Sequence, residues 1–289
     1  MTYDLLIGDR AYSSWSLRGW LLFEAFGLPF REYRTELYTK RFAEDLRTWF
    51  PARTVPVAQT PAGGLWTDSL AIAEGLAEAH PEVGHWPTDP IARALARSLT
   101  AEMHSGFVAL RTDCPMNLRV ASGGFAPSQP VLADLSRIET LWAAARQMAG
   151  SGSWLFGAYG AVDAFYAPVA MRIAGYGLPV SADAQRYVEA HLAHAPLRRW
   201  RAMGEARNRT IDVYPIHPPE RPFPIPAPIP ACAVESGPPV NARCPYSGKP
   251  VTHFLEAGGR IWGFCKAFCR DKTAADPGAW PAFMAIYDS

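Results

Sequence analysis

The 289 residues carry 28 basic and 27 acidic side chains, a formal net charge of +1, which gives no general reason to expect nucleic acid or an anionic membrane as partner. Hydrophobic residues make up 49% of the chain, ample for real cores, and the length suggests more than one domain. No run is long enough to span a bilayer and no basic region leads into an apolar signal core, so a cytoplasmic enzyme is the expectation.

Residues 1 to about 80 read as a small α/β domain. Tyr3 to Ile7 is an apolar run short enough to be a buried strand, and Leu17 to Phe26 follows with Leu17, Leu21, Leu22 and Ala25 at helical spacing before Gly27. Between them lies Ala11-Tyr12-Ser13-Ser14-Trp15-Ser16-Leu17-Arg18, a cluster of hydroxyls at the mouth of a helix. Free backbone N–H groups and the positive end of the helix dipole favour an anion there. The stretch holds neither Cys nor His, so the anion arrives with a ligand, and a bound thiol is a good candidate, because a Ser hydroxyl donating to sulfur favours thiolate. Ser13, Ser14 and Ser16 equally suit the plain duty of capping a helix. Arg18, one turn on, reads as a structural salt-bridge residue.

Alternation of Tyr33, Thr35 and Leu37 predicts a half-buried strand over Glu32 to Leu37, and a polar helix follows over Arg41 to Trp49. Thr54 to Thr60 is a strand containing Pro56, with Leu65-Trp66-Thr67 as hairpin partner after the Pro61-Ala62-Gly63-Gly64 turn. Asp68-Ser69 caps a helix over Leu70 to Ala79. The order of elements is the thioredoxin-like pattern, in which the Val55-Pro56 bond is where a cis peptide is expected.

A Pro/Gly/Asp-rich linker at 81–90 leads into an all-helical domain from about 90 to 208. Ile91, Leu95, Leu99, Met103 and Phe107 recur every fourth residue, and Leu132, Leu135, Ile138 and Trp142 mark a second helix. Val120 to Gln129 is a Gly/Pro/Ser loop; Ala161 to Ala174, Ala182 to Ala193 and a segment opened by Pro196 are further helices. His104 beside the apolar stripe is open to two readings, a hydrogen-bonded core histidine or a contact in the substrate pocket. Prolines at 215, 218, 219, 222, 224, 226, 228 and 230 make 209–231 a semi-rigid extended linker.

Residues 232–289 form the last piece, holding four of the five cysteines. Cys265 and Cys269 are one helical turn apart, so both sulfurs can point at one ion, with Cys244 supplied from an upstream turn. Thr252 to Glu256 and Gly259 to Phe264 read as a hairpin between them. Thiolates select zinc or Cu(I) over hard ions, and zinc is the first choice. Cys232 is the simpler candidate for a fourth ligand, with His253 the alternative.

The first 208 residues resemble the glutathione S-transferase family, serine-type and bacterial. Tyr12-Ser13-Ser14-Trp15-Ser16-Leu17-Arg18 is similar to the zeta-class active-site turn, with Trp15 in the Cys place; Thr54-Val55-Pro56-Val57 is similar to the cis-proline strand, and Asp68-Ser69-Leu70 to the motif that grips the γ-glutamyl end of glutathione. The resemblance implies a glutathione transferase in which Ser13, with Ser14 beside it, keeps the glutathione sulfur as thiolate for attack on an electrophilic small molecule. It further implies Trp15, Val55, Pro56, Asp68 and Ser69 as glutathione-binding residues and a homodimer, and leaves His104 as the candidate substrate-pocket residue against its reading as a core histidine. Two departures stand out. Gly160 replaces the Ser or Thr that begins the helical domain's capping box before Asp163, and Trp15 in place of Cys leaves a zeta-type isomerase reaction open. The C-terminal piece resembles the YHS/TRASH type of small treble-clef-like metal module through Cys244-Pro245-Tyr246 and Phe264-Cys265-x3-Cys269. The competing reading is a glutathione- or metal-binding sensor on a transferase scaffold; thiol–disulfide exchange is disfavoured because the active-site turn lacks a cysteine.

Overall fold

The computed structural model describes residues 2–214, 218–226 and 228–289, and these form two compact units. Pro215, counted above in the proline-rich linker, lies outside the described residues. No helix among the described residues is long and apolar enough to cross a membrane.

The first unit comprises residues up to His191 together with Asp212–Phe223. It opens with β1 (Tyr3–Ile7), α1 (Ser14–Glu24), β2 (Phe30–Arg34), α2 (Lys40–Arg47), β3 (Val57–Gln59), β4 (Leu65–Trp66) and α3 (Ser69–Ala79). The sheet runs β2-β1-β3-β4, with β1 parallel to β2 and antiparallel to β3. Leu5, Ile7, Leu17, Leu21, Val57, Ile72 and Leu76 are completely buried, so the apolar run and the helical spacing together build the core. Gly19 lets α1 approach this sheet: a Cβ there would meet Pro56 at 2.7 Å.

Three elements differ from their sequence expectation. Helix α1 starts at Ser14 rather than near Leu17, so it takes in Ser14 and Ser16 while Ser13 stays outside as its N-cap. The second strand begins at Phe30, registered against Tyr3, and is exposed along most of its length, as an edge strand; Thr35 and Leu37 fall beyond it. Val120–Ser122 is not loop but a short strand, β5, paired with β6 (Glu220–Pro222) from the proline-rich stretch.

The helical part of this unit contains α4 (Pro90–Ser105), α5 (Val108–Asp113), α6 (Gln129–Ala149), α7 (Ala161–Tyr176) and α8 (Ala182–Ala193) as far as His191. Helix α7 is apolar and buried almost throughout. Its Gly160 cap offers no side chain, but Asp163 supplies the reciprocal half of the capping box: one carboxylate oxygen accepts the Gly160 N–H at 2.8 Å, the other the Tyr187 hydroxyl at 2.7 Å and the Leu155 N–H at 3.1 Å. Burial pushes the Asp163 carboxyl up to about 6 despite these bonds.

The second unit joins Leu192–Ile211 to Pro224–Ser289. It contains α9 (Ala195–Glu205), β7 (Ala231–Val234), β8 (His253–Ala257), β9 (Arg260–Phe264), α10 (Ala267–Ala275) and α11 (Pro281–Tyr287). The expected hairpin is present as β8–β9, turning through Gly258 and Gly259, both at positive φ (59° and 70°), and β7 adds a third strand. Ala202 of α9 shares a core with Leu255, Trp262, Phe264, Trp280 and Phe283, and Arg198 of α9 makes a bidentate pair with Asp276 at 2.8 and 2.6 Å.

Candidate functional site

Ser13 is the N-cap of α1. Its hydroxyl oxygen accepts the Ser16 N–H at 3.2 Å and its O–H donates to the Ser16 hydroxyl at 2.8 Å, which in turn accepts the Gly8 N–H at 3.0 Å. Ser14, the first helical residue, is half-buried, and no acidic side chain occupies the first turn. Among the described residues, the Ser14 and Trp15 N–H groups have no backbone acceptor. The helix therefore presents unpaired donors and the positive end of its dipole.

These residues open onto a cavity of about 650 Å³, lined by Tyr12, Ser13, Ser14, Trp15, Tyr38, Thr54, Val55, Ser105, Arg111, Met116, Arg172 and Tyr214 among others, none of them acidic. Val55 belongs to this lining, and the Val55–Pro56 bond is cis, as are Phe50–Pro51 and Pro218–Pro219. Pro56, Asp68, Ser69 and His104 stand outside the lining but close to its residues. Asp68 caps α3 by accepting the Leu70 N–H at 2.7 Å, and its other carboxylate oxygen is 3.6 Å from His104 Nε2. The His104 ring meets Trp15 edge-on, with centroids 5.0 Å apart. Burial, ahead of the attraction of Asp68, lowers the His104 pKa, so the ring is neutral near pH 7. Ser69 is 1% exposed at the N-terminus of α3, and its hydroxyl has no hydrogen-bond partner among the described residues.

Arg18 does not form the expected salt bridge among the described residues. It is 1% exposed, with Nε and one terminal nitrogen unpaired, and its guanidinium lies 3.8 Å from the Trp15 ring centre and 4.9 Å from that of Phe165. The packing of α1 on α7 puts it between aromatic faces rather than beside a carboxylate. Burial, reinforced by Arg111 and Arg172, lowers its pKa to about 9. Arg172 donates to the carbonyls of Cys114 and Pro168, and Arg111 to those of His104 and Gly106. None of these arginines was singled out as a site residue by sequence. The signal available for Arg172 was a lone basic residue in the largely apolar run Ala161 to Ala174, whose other charged residue is Asp163.

In the second unit the structure brings together Cys244, Cys265 and Cys269, whose sulfurs all lie within 4.8 Å of one another, with Cys265 and Cys269 at 4.0 Å. Cys265 precedes Lys266, the N-cap of α10, and Cys269 lies in the first turn of that helix, so the one-turn spacing brings both sulfurs together. Burial raises the Cys244 pKa, but N–H groups of Cys265 and Tyr246 with the hydroxyl of Ser247 outweigh it and hold it at about 7; burial drives Cys269 up to about 12. Cys232 is not part of the cluster. It is exposed on β7, opposite Glu256, and its neighbour Ala233 is exposed as well. His253 bonds Thr252 at 2.9 Å and is likewise outside the group.

Residues 12–79 match the family model described as the glutathione S-transferase N-terminal domain. Beyond residue 79 the likeness is to solved structures and extends into the helices. A glutathione transferase homolog from Burkholderia gl BGR1, solved with bound glutathione, superposes with a TM-score of 0.53 at 24% identity, over 71% of this chain and 98% of that one. Glutathione transferase Omega 3C from Trametes versicolor gives 0.53 at 19% identity, over 70% and 88%. At these identities the likeness shows the fold, a thioredoxin-like domain followed by a helical domain. A Caenorhabditis elegans protein described as "Probable maleylacetoacetate isomerase" is 35% identical over 115 residues, 38% of this chain. The match spans 53% of that relative's length, about half.

Proposed function

We propose that the chain is a glutathione-dependent transferase in which the α1 N-terminus holds the glutathione sulfur as thiolate for attack on an acidic electrophile. The observation that carries this reading is the convergence of the Ser13–Ser14 helix start, Val55 and two arginines on one cavity free of acidic side chains. The Ser13 oxygen keeps its capping bond from the Ser16 N–H while its O–H swings from Ser16 to sulfur; accepting that bond makes the hydroxyl a better donor. Ser14 supplies a second hydroxyl. Val55 pairs with the cysteinyl unit through its backbone beside Pro56, and Trp15 closes the site. The buried, unpartnered Ser69 hydroxyl and the α3 N-terminus take the γ-glutamyl carboxylate, while Asp68 meets the amine. The thiol proton leaves to solvent and the sulfur forms a carbon–sulfur bond to the acceptor; a leaving group departs, or the adduct later eliminates the thiol, as an isomerase needs. Arg111 and Arg172 favour an acceptor with a carboxylate. The name of the Caenorhabditis elegans relative is in line with an acid as substrate, and the glutathione in the Burkholderia homolog with the tripeptide as co-substrate. His104 orients Trp15 and Asp68 at the pocket edge. The enzyme acts as a cytoplasmic homodimer.

The deciding experiment is isothermal calorimetry with glutathione, together with turnover of Ser13→Ala and Ser14→Ala. Loss of one hydrogen bond to a charged sulfur lowers kcat/KM by about 10- to 100-fold for Ser13→Ala. Absence of glutathione binding in the wild type, or full activity in both variants, ends the reading.

The Cys244–Cys265–Cys269 cluster supports a second activity, metal binding in the C-terminal module, with zinc the first choice. Thiolates sharing a tetrahedral zinc at about 2.3 Å stand about 3.8 Å apart, close to the 4.0 Å between Cys265 and Cys269. The three residues would hold the ion and leave its fourth position to a group from outside the trio. A sensor role predicts partner binding that follows metal content and ignores Ser13. Elemental analysis of the same purified sample tests the site.

A further inference from the structure

Read as sequence, the proline-rich stretch is a spacer, yet Asp212–Phe223 packs into the same compact unit as the cavity. Its far end is fixed by the β5–β6 ladder, where Val120, Ala121 and Ser122 face Pro222, Arg221 and Glu220. The Gly123 N–H donates to the Pro219 carbonyl at 2.7 Å, and Arg221 donates to the Ser122 carbonyl at 2.9 Å. Phe223 is 3% exposed and seated against Gly175, where a Cβ would come within 3.2 Å of the ring. At the near end, Tyr214 stacks on Tyr12, the residue before Ser13, with centroids 5.1 Å apart and planes at 24°.

The Tyr214 and Tyr38 hydroxyl oxygens are 3.2 Å apart. In such a pair one O–H donates and the other keeps its proton for a further acceptor. Both rings line the cavity, together with Arg111 and Arg172. With one face of Tyr214 stacked on Tyr12 and the Tyr38 ring edge-on to it at 5.9 Å, this wall offers an aromatic surface, one spare hydroxyl donor and adjacent cationic side chains.

We propose that Tyr214 is a specificity-determining residue of the acceptor pocket, selecting flat, conjugated electrophiles that carry a carboxylate. This rests on the glutathione reading above: the ring stacks on the acceptor, and the tyrosine pair donates to its carbonyl or carboxylate oxygen. An acceptor that is neither flat nor acidic gains nothing from this wall.

The test uses the full chain saturated with S-methylglutathione and titrated calorimetrically with 3,5-dinitrobenzoate, an unreactive acceptor mimic. Tyr214→Ala weakens 3,5-dinitrobenzoate binding by about tenfold, through lost stacking and the lost donor, and Tyr214→Phe by about threefold. Glutathione affinity stays within twofold in both. Unchanged 3,5-dinitrobenzoate affinity in Tyr214→Ala, with glutathione still bound, overturns the inference alone. A wild type that binds no S-methylglutathione overturns the underlying reading and the inference with it. Should Tyr214→Ala melt early, Tyr214→Phe decides, because it keeps the ring: a change below 1.5-fold, roughly the error of such titrations, counts against the role of the hydroxyl pair.

Discussion

On the proposed reading Ser13 carries two duties, capping α1 and donating to the glutathione sulfur, and the capping geometry makes them compatible. Replacing it with Ala removes the acceptor for the Ser16 N–H, so stability falls by about 1 kcal/mol in thermal melts while the acid limb of the pH–rate profile, set by the bound thiol, moves up by about one unit. Arg18 poses the opposite case. A buried guanidinium with Nε and one terminal nitrogen unpaired among the described residues is unfavourable for stability, and its place one turn from the serines gives it the field of a fixed cation. Arg18→Met is expected to hold or gain stability in denaturant titrations while raising the pKa of bound glutathione by about half a unit, read from thiolate absorbance. Asp163 sets a pH dependence of known sign. Its folded pKa of about 6 lies above the ordinary carboxyl value of 3.8, so between these values the folded chain holds a proton the unfolded chain has lost. Stability from this group therefore falls as pH rises through that window, and Asp163→Asn flattens the slope in urea melts taken across it. At this scale the serines were legible because a cap is a local affair. Arg111 and Tyr214 were not: nothing in their neighbours announces that packing will bring them to one cavity.

Among the elements, those whose partners are close in sequence follow their local pattern, and those completed by distant partners do not. The β8–β9 hairpin is the clean case, since two glycines at positive φ form its turn and alternation does the rest. β7 and β6 were hidden, because prolines obscure strand periodicity and pairing with β8 and β5 decides the outcome. Helix α9 has the pattern of a helix in the helical domain, but it packs in the same unit as the cysteine module. The joint there is the Arg198–Asp276 pair, with Asp276 only 1% exposed. Arg198→Ala leaves a buried carboxylate unpaired and should destabilise the second unit by about 3 kcal/mol, measured by hydrogen exchange in α10.

Over the whole molecule, two compact units predict two unfolding transitions in calorimetry, and a metal held by Cys244, Cys265 and Cys269 stabilises only one of them. Chelation is expected to lower that transition and leave the other in place, and Cys269→Ser should abolish the difference. The order of strands and helices, the hydroxyls at the first helix, the Val55–Pro56 bond before β3 and the Cys265–Cys269 spacing were present in the amino-acid sequence, because each rests on neighbouring residues, and Cys244 joins them across a hairpin that is itself local. The tertiary structure alone decided that Cys232 stands apart from the cysteine trio, that Arg18 lies between aromatic rings, and that Tyr214 returns to the first unit. Those outcomes come from long-range packing, in which a residue's partners are set by the closing of the chain rather than by its neighbours along it.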